Sequence, residues 1–363
     1  MLGNGRSAEY LKAFTRLPCT AALLLLAWRF FPASGGISVL KNLLPDPFMV
    51  ALLITLGLAT LLPASGQAAV VVDWVATLAI IALFFFHGAK LPRQAVVAGL
   101  MHWRLHLVIL AFTFVLFPLL GLGLSLLLPG LLSPPLWIGM LYLVALPSTV
   151  QSSIAFVSIA GGNVPAAIAS ASASQVLGVF LTPLLVGLLA GVTDGGVEPS
   201  GIGKVALMIL GPFIAGHLLR PLIGGWMERY RATISLTDRG TILIAVYSAF
   251  SMAVNEAIWG RLPLQELGRL FVLCCLLLAL LLLLTRWVAR RLGFSRADEI
   301  VVVFCGTKKS LVQGVPMARV LFAGPDLGLI LLPIMIFHQV QLTVCVWLAR
   351  RYGKGSEERG DLP

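Results

Sequence analysis

Charge is what this chain has little of. Of its 363 residues only 11% are Asp, Glu, Lys or Arg, where a soluble domain carries about 25%. From Leu105 to Thr193 there is none at all, and no water-facing surface can be built from such a stretch. Acidic residues are the scarcer kind, 15 against 26 basic, for a formal net charge of +11. The five cysteines (Cys19, Cys274, Cys275, Cys305, Cys345) lie in or beside apolar runs, with no CxxC and no histidine at metal-ligand spacing. That gives no disulfide framework or cysteine-based metal site to argue from, and they are most simply buried small hydrophobes. Paired carboxylates and a nucleophile beside a base are absent too, so an enzyme has no chemistry to work with. The basic residues stand singly or in twos and threes between apolar runs. A nucleic-acid face needs a basic patch with stacking aromatics, so these clusters read instead as topology signals or contacts to anionic lipid.

What is abundant is apolar sequence, 59% of the chain. It falls into runs near 47–63, 70–88, 105–128, 136–160 and 164–190, then 205–223, 240–257, 267–288, 299–320 and 327–349. A spanning helix needs about 20 apolar residues, so ten of them use roughly 200 and leave short loops. The chain is an all-α polytopic membrane protein with ten expected transmembrane helices. Internal prolines (Pro118, Pro147, Pro183, Pro212, Pro316, Pro333) are tolerated in a bundle whose neighbours satisfy the freed backbone groups.

Lys and Arg collect in cytoplasmic loops. With the loop after the second run inside, Lys90, Arg93 and Arg104 share a side with Arg220, Arg229, Arg231 and Arg239 and with Arg286, Arg290, Arg291 and Arg296. Both termini join them. Of the 26 basic residues, Lys204, Arg261, Arg269 and Arg319 fall on the other side and Lys308 and Lys309 on neither. This supports an even number of spans with cytoplasmic termini, in an inner or plasma membrane. Residues 1–44 are expected to form a cytoplasmic or interfacial extension. Their apolar core, Ala21 to Trp28, is too short to span and is followed by Arg29, so it is either an in-plane segment or the product of a start site set too far upstream. The transporter domain is expected over 45–352, in repeats 45–190 and 201–352, with a cytoplasmic tail at 353–363.

Five spans per half force the second half into the membrane upside down, and inverted repeats of that kind characterise secondary transporters. The fourth run of each half is its most polar. In one, Leu146-Pro147-Ser148-Thr149-Val150-Gln151-Ser152-Ser153 sets hydroxyls and an amide behind a proline. In the other, Cys305-Gly306-Thr307-Lys308-Lys309-Ser310-Leu311-Val312-Gln313-Gly314-Val315-Pro316 does so with glycines and two lysines. Both read as helix breaks. Unwound backbone at membrane depth occurs where it is buried in protein or lines a wet cavity, and its freed groups then bind ions and anions. A lysine inside a span costs roughly 3 kcal/mol on insertion scales. No Asp or Glu lies in the central part of any run, so an anionic substrate is the expected counter-charge. Adjacent helical residues point about 100° apart, so one lysine can face the site while the other neutralises a helix C-terminus or snorkels.

Other polar groups are weaker signals. Ser170 and Ser174 share a helix face. Asn163 before Pro165 reads as a helix cap, and Ser295 with Asp298 and Glu299 as a capping box and acidic first turn. His338, beside Gln339 and Gln341, can relay protons or bond a backbone carbonyl. His87 and His106 adjoin a basic loop, where an interfacial position accounts for them.

The phrases FFFHGAKL (84–91), HWRLHL (102–107), LPSTVQSSIAF (146–156), GGNVPAA (161–167), SASAS (170–174), VFCGTKKSL (303–311) and LPIMIFHQVQL (332–342) carry a resemblance. From about Pro45 to Tyr352 the chain resembles the bile acid:sodium symporter family, in its bacterial symporter branch related to sodium/bile acid cotransporter 7. The resemblance implies a core domain of spans 3, 4, 5, 8, 9 and 10 and a panel of spans 1, 2, 6 and 7, with broken spans 4 and 9 crossing. It implies two sodium ions held by a Ser-Asn pair, by hydroxyls and by a Glu and Gln. Carried over, these fall near Ser152 and Ser153, on Ser170 and Ser174, and on Cys305 to Lys309. The glutamate is missing and lysine stands close to its place, so a cation site has lost its anionic ligand.

The sequence therefore points to a secondary transporter of a small organic anion, coupled to sodium, to protons or to neither, with the lipid bilayer as its other partner. Substrate binding is expected from Lys308, Lys309, Thr307, Ser310, Gln313, Ser148, Thr149 and Gln151. Ion binding is expected from Ser152, Ser153, Ser170 and Ser174, and proton relay from His338. No cofactor and no nucleic acid is expected. The alternative is a membrane regulatory or scaffold protein that keeps the fold and moves no solute, which the lost glutamate favours and two polar breaks at midplane oppose.

Overall fold

The computed structural model describes residues 47–90, 102–192, 199–257, 262–322 and 324–357. The expectations for residues 1–44 lie outside these. Among the described residues all regular structure is helical: α1 (Pro47–Leu61), α2 (Gly66–Ala89), α3 (Trp103–Leu127), α4 (Pro134–Ala145), α5 (Gln151–Ile159), α6 (Val164–Val192), α7 (Pro199–Arg229), α8 (Arg231–Asn255), α9 (Leu264–Arg291), α10 (Arg296–Gly306), α11 (Leu311–Leu321) and α12 (Leu327–Glu357). Six stretches are long and apolar enough to cross a bilayer, in α2, α3, α6, α7, α9 and α12, and Val50–Leu61 and Pro134–Ala145 are shorter apolar helices. Trp74 and Leu78 of α2, Leu184 and Leu188 of α6, and Leu276 and Leu283 of α9 are exposed on the outside of the bundle. Water would not tolerate so continuous an apolar surface, and a bilayer covers it. The protein is a multi-pass integral membrane protein.

Helix ends follow local chemistry. Ser295 accepts from the Asp298 amide at 3.2 Å and opens α10 as a capping residue, with Glu299 in the first turn. Asn163 Oδ1 accepts from the Ala166 amide at 3.1 Å, while its Nδ2 donates to Asp298 Oδ1 at 3.0 Å. One side chain thus starts α6 and ties it to α10. Two expected boundaries move. Only Tyr230 separates α7 from α8, where the sequence suggested a cytoplasmic loop rich in arginine, and α12 runs to Glu357 rather than 349. Arg, Glu and Lys are good helix formers, so these helices continue past the apolar stretch that marks their membrane portion.

The helices pack in two groups that also meet along a broad seam, α8 on α11 and α12 and α7 on α6 and α11. In one, α1 lies on α8 and α2 lies on both α7 and α8. In the other, α12 packs on α4, α5, α9 and α11, and α10 packs on α3, α5, α6 and α9. The closest approach is α2 on α7. A Cβ at Gly88 would sit 1.9 Å from the Phe213 carbonyl oxygen, and one at Gly216 would sit 1.9 Å from that of Phe85. Glycine at both positions lets the two backbones touch. Gly88→Ala or Gly216→Ala forces the helices apart at an overpacking cost of about 1–3 kcal/mol, and each lowers the melting temperature of the purified protein. Gly57→Ala, with nothing within 4 Å of the new methyl, leaves it unchanged or slightly raised.

Candidate functional site

Proline makes the first break. Its ring disfavours helical geometry in the residue before it, and Leu146 is extended at φ −72°, ψ 153°. That ends α4 at Ala145, and α5 restarts at Gln151. The second break opens after Gly306. Thr307, Lys308 and Lys309 leave the helix, and Ser310 starts α11 by accepting from the Gln313 amide at 3.3 Å. The two breaks lie against each other. The Ser310 amide donates to the Pro147 carbonyl at 2.9 Å, and Ser148 Oγ donates to the Cys305 carbonyl at 2.7 Å.

Backbone freed at membrane depth must find partners inside the protein, and the bonds can be followed one by one. At the end of α10, the Cys305 carbonyl takes Ser148, Phe304 takes Ser153 Oγ at 3.3 Å, and Val303 takes Thr307 Oγ1 at 2.6 Å. At the end of α4, the Ala145 carbonyl takes Thr182 Oγ1 at 2.9 Å. Val144 and Leu146 both take Lys309 Nζ, at 2.8 and 2.6 Å. Its third hydrogen bond goes to the Thr113 carbonyl at 3.0 Å.

The Thr113 carbonyl is free for a sequence reason. Residues Phe112–Leu116 form a π-turn inside α3, and the Phe117 amide bonds five residues back to Phe112. Pro118, which would serve Thr113 in that pattern, has no N–H. An ammonium has three donors, and all three are used. Lys309 also stands 4.0 Å from the Phe117 ring centroid and is wholly buried. Hydrogen bonds to a charged group stabilise by about 1.5–3 kcal/mol each, and the negative end of α4 adds to them. Two of the three bonds of Lys309 thus fall on the C-terminal end of α4.

Lys308 is different. It is equally buried, its Nζ lies 3.7 Å from the Phe156 ring centroid, and it has no hydrogen-bond partner. A cation over a desolvated ring gains about 2 kcal/mol, less than an unpaired buried charge costs. Phe156 follows Ser152 and Ser153 by one turn on the same face of α5. Val150 stands at the cap position of that helix and provides no side-chain cap, so the positive end of α5 is not met by a capping side chain.

The remaining candidates are placed as follows. Thr149 Oγ1 bonds Ser152 Oγ at 2.7 Å and Ser153 Oγ at 3.1 Å. Ser174 Oγ accepts from the Ser148 amide at 3.0 Å. Ser170 turns the other way, to His106 Nδ1 at 2.7 Å. So Ser148, Thr149, Ser152, Ser153 and Ser174 are brought together at the breaks, and Ser170 is held apart from them. Among the described residues their hydrogen bonds are to backbone, hydroxyl and imidazole. Gln151 is exposed, whereas Gln313 is buried with Nε2 on the Gln175 carbonyl and Oε1 unpartnered. Among the described residues no group of His, Cys, Asp and Glu could hold a metal ion.

Four residues matter that sequence reading left aside or placed otherwise. His106 is buried rather than interfacial, because α3 begins at Trp103 and its first turn already faces α6. The Ser170 partner lies 64 positions away, and no local spacing signals it. Thr113 acts through its carbonyl, which side-chain chemistry does not reveal, although Pro118 five residues on is a signal that could have found it. Tyr142 OH donates to the Gly314 carbonyl, joining α4 to α11. Gln341 accepts from the Lys309 amide at 3.0 Å and donates to its carbonyl at 2.9 Å, pairing with the broken backbone as a strand neighbour would. With its amide fixed that way, Gln341 also donates to His338 Nδ1 at 2.9 Å. The network thus assigns the His338 proton to Nε2.

The chain is similar to known proteins over most of its length. The model of the SBF-like CPA transporter family matches residues 46–354. The Pseudomonas aeruginosa protein named "Uncharacterized protein PA2026" is 56% identical over 316 residues, 87% of this chain and 95% of that one. Escherichia coli "Putative symporter YfeH" is 50% identical over 313 residues, 86% of this chain and 94% of that one. "Sodium/bile acid cotransporter 7" of Rattus norvegicus is 28% identical over 330 residues, 86% of this chain and 96% of that one. These similarities place the chain among transporters rather than enzymes, and it belongs to the SBF-like CPA transporter family.

Proposed function

We propose that the chain is a secondary active transporter that carries an organic anion across the inner or plasma membrane by alternating access. Lys308 carries the reading. A wholly buried ammonium with no hydrogen-bond partner, set where two helices break, is costly in an inert fold and useful in one that binds an anion. In this reading Lys308 supplies the charge. Gln313, Ser152 and the N-terminal end of α5 supply hydrogen bonds, with Ser148, Thr149, Thr307 and Ser310 shaping the breaks around them. Gln151 lies at the entrance, and Lys309 holds the frame.

Each broken pair, α4 with α5 and α10 with α11, then counts as one span. That gives ten spans within a 45–352 domain, in inverted repeats 45–190 and 201–352, with both termini cytoplasmic. The packing supports the inversion. Exchanging spans 1 and 2 with 6 and 7 maps the α1–α8 contact onto the α2–α7 contact, and both are present. It also supports a panel of α1, α2, α7 and α8 moving against a core of the other helices. Between them Arg319 of α11 pairs with Asp73 of α2 and donates to Ser248 of α8 at 2.8 Å. The names of two relatives speak of symport and of sodium with bile acid. For this chain the coupling ion is sodium or a proton, with Ser152, Ser153 and Ser174 as cation ligands and His338 as the relay if it is a proton. A scaffold protein has no use for the unpaired ammonium.

Uptake into proteoliposomes of a bile acid, an organic sulfate and mono- and dicarboxylates, with imposed sodium or proton gradients, tests class and coupling together. Lys308→Met is expected to lower uptake of the transported anion at least about thirtyfold, the size of losing one charged partner. It should leave the melting temperature unchanged or raised, since an unpaired buried charge is removed. Uptake retained in Lys308→Met would sink the anion-binding role. Alternating access further predicts that a cysteine pair at 73 and 319, once cross-linked, stops uptake and that a reductant restores it, while each single cysteine variant is insensitive to the cross-linker.

A further inference from the structure

We propose that the Lys309 ammonium is a tethered substitute for a bound monovalent cation, filling a cage of backbone carbonyls between α3 and α4 so that this cage takes no sodium from solution.

The cage has the composition of a cation site. Its ligands are the carbonyl oxygens of Thr113, Val144 and Leu146, at 3.0, 2.8 and 2.6 Å from Nζ. Two come from the negative end of a half-helix and one from a π-turn, and each is left without its usual helical donor. Such freed carbonyls coordinate sodium in transporters with broken helices, and a ring of carbonyls replaces the hydration shell of an alkali ion. The face of Phe117 closes a further side.

Lys309 reaches this cage from the other break. Gln341 pins its backbone on both sides, through the amide and the carbonyl, and the side chain then runs to α4. The fit is complete in number, three donors on three acceptors. It is complete in burial as well, since no part of Lys309 is exposed. A side chain meant to bind a substrate anion would keep a donor free, as Lys308 does. One meant only to cap α4 would need its two carbonyls and no Thr113. The third ligand, drawn from a different helix, makes the arrangement a cation site with its cation attached.

The consequence for transport rests on the transporter reading, because a site whose cation cannot leave contributes nothing to coupling. The occupancy of the cage does not rest on it and is measured without transport. The full chain, purified in detergent, is melted in sodium, potassium and choline chloride at equal ionic strength. Wild type sets the baseline, which includes any gain from sodium held by the Ser152, Ser153 and Ser174 hydroxyls, and this cage adds nothing to it. Lys309→Ala empties the cage but leaves its carbonyls, so it melts lower in choline and gains roughly 2–4 °C or more beyond that baseline as sodium or potassium saturates. Lys309→Met fills the same space without charge and gains nothing beyond the baseline. Recovery of Lys309→Ala only from preparations kept in sodium or potassium is the same result in a stronger form.

Three outcomes overturn the proposal. One is a sodium-dependent rise in wild type that Lys309→Ala abolishes. Another is a Lys309→Ala protein that gains no more than wild type in sodium or potassium. The third is a Lys309→Ala protein that cannot be recovered in any salt while Lys309→Met can. Failure of anion uptake in the vesicle assay touches none of these.

Discussion

A helix that stops in the middle of a membrane leaves carbonyl oxygens that hydrocarbon cannot satisfy, and each costs several kcal/mol if left alone. The structure answers this at the end of α4 with a charge. Lys309 lies 163 and 165 residues away from the Leu146 and Val144 carbonyls it bonds, so the break in the first half is stabilised by a residue of the second. The dependence runs both ways, because the Ser310 amide of the second break finds its acceptor in Pro147. Neither half closes its own backbone. The two must be docked before either break is satisfied, and this reciprocal bonding fixes where the other site groups stand.

The ends of α4 and α10 show two solutions to one problem. The α10 carbonyls of Phe304 and Cys305 are satisfied by serine hydroxyls from the first break, which are neutral. Those of α4 receive an ammonium. Lys308 follows α10 by only two residues, so a neutral cap there leaves the negative end of α10 as the nearest fixed compensation for the lysine beside it. Adjacent lysines thus have opposite fates. One spends all its donors on backbone, and the other keeps them. Phe117 under Lys309 and Phe156 under Lys308 give each cation a ring, so aromatic contact does not distinguish them, and the count of hydrogen bonds does.

Much of this was legible in the sequence. Pro147 after Leu146, and Gly306 before Thr307, mark both breaks to within a residue or two, because proline and glycine act on the backbone locally. The caps at Asn163 and Ser295 were legible for the same reason. The two lysines stood out because charge is so rare here. What could not be read was which lysine is bonded. That depends on Thr113 and Val144, which contribute only carbonyl oxygens and carry no side-chain signature. His106 shows the same limit. Beside Arg104 it looks interfacial, and only the docking of α3 on α6 places it against Ser170. Hydropathy also misjudged α7, α8 and α12, whose helices run on into charged sequence that is no longer apolar but still favours the helix.

The division of the helices into two groups gives the site its mechanical setting. Within the group of α1, α2, α7 and α8, the α2–α7 contact is backbone on backbone through Gly88 and Gly216, a fit with no room for a side chain at either position. Within the other group, the breaks are tied by hydrogen bonds that cross from α3 to α12. Between the groups the polar contact is of another kind, the Arg319 guanidinium on Asp73 and on the Ser248 hydroxyl. Asp73 is 54% exposed whereas the Arg319 side chain is 8% exposed, so the pair is half-buried, with the arginine inside the seam and the carboxylate at its edge. The groups also meet where α8 packs on α11 and α12 and where α7 packs on α6 and α11, so the boundary is a broad apolar seam in which this ion pair is one contact. Lys308 stands three residues before α11, so the helix that carries Arg319 into the seam also follows directly from the break that holds the unpartnered ammonium.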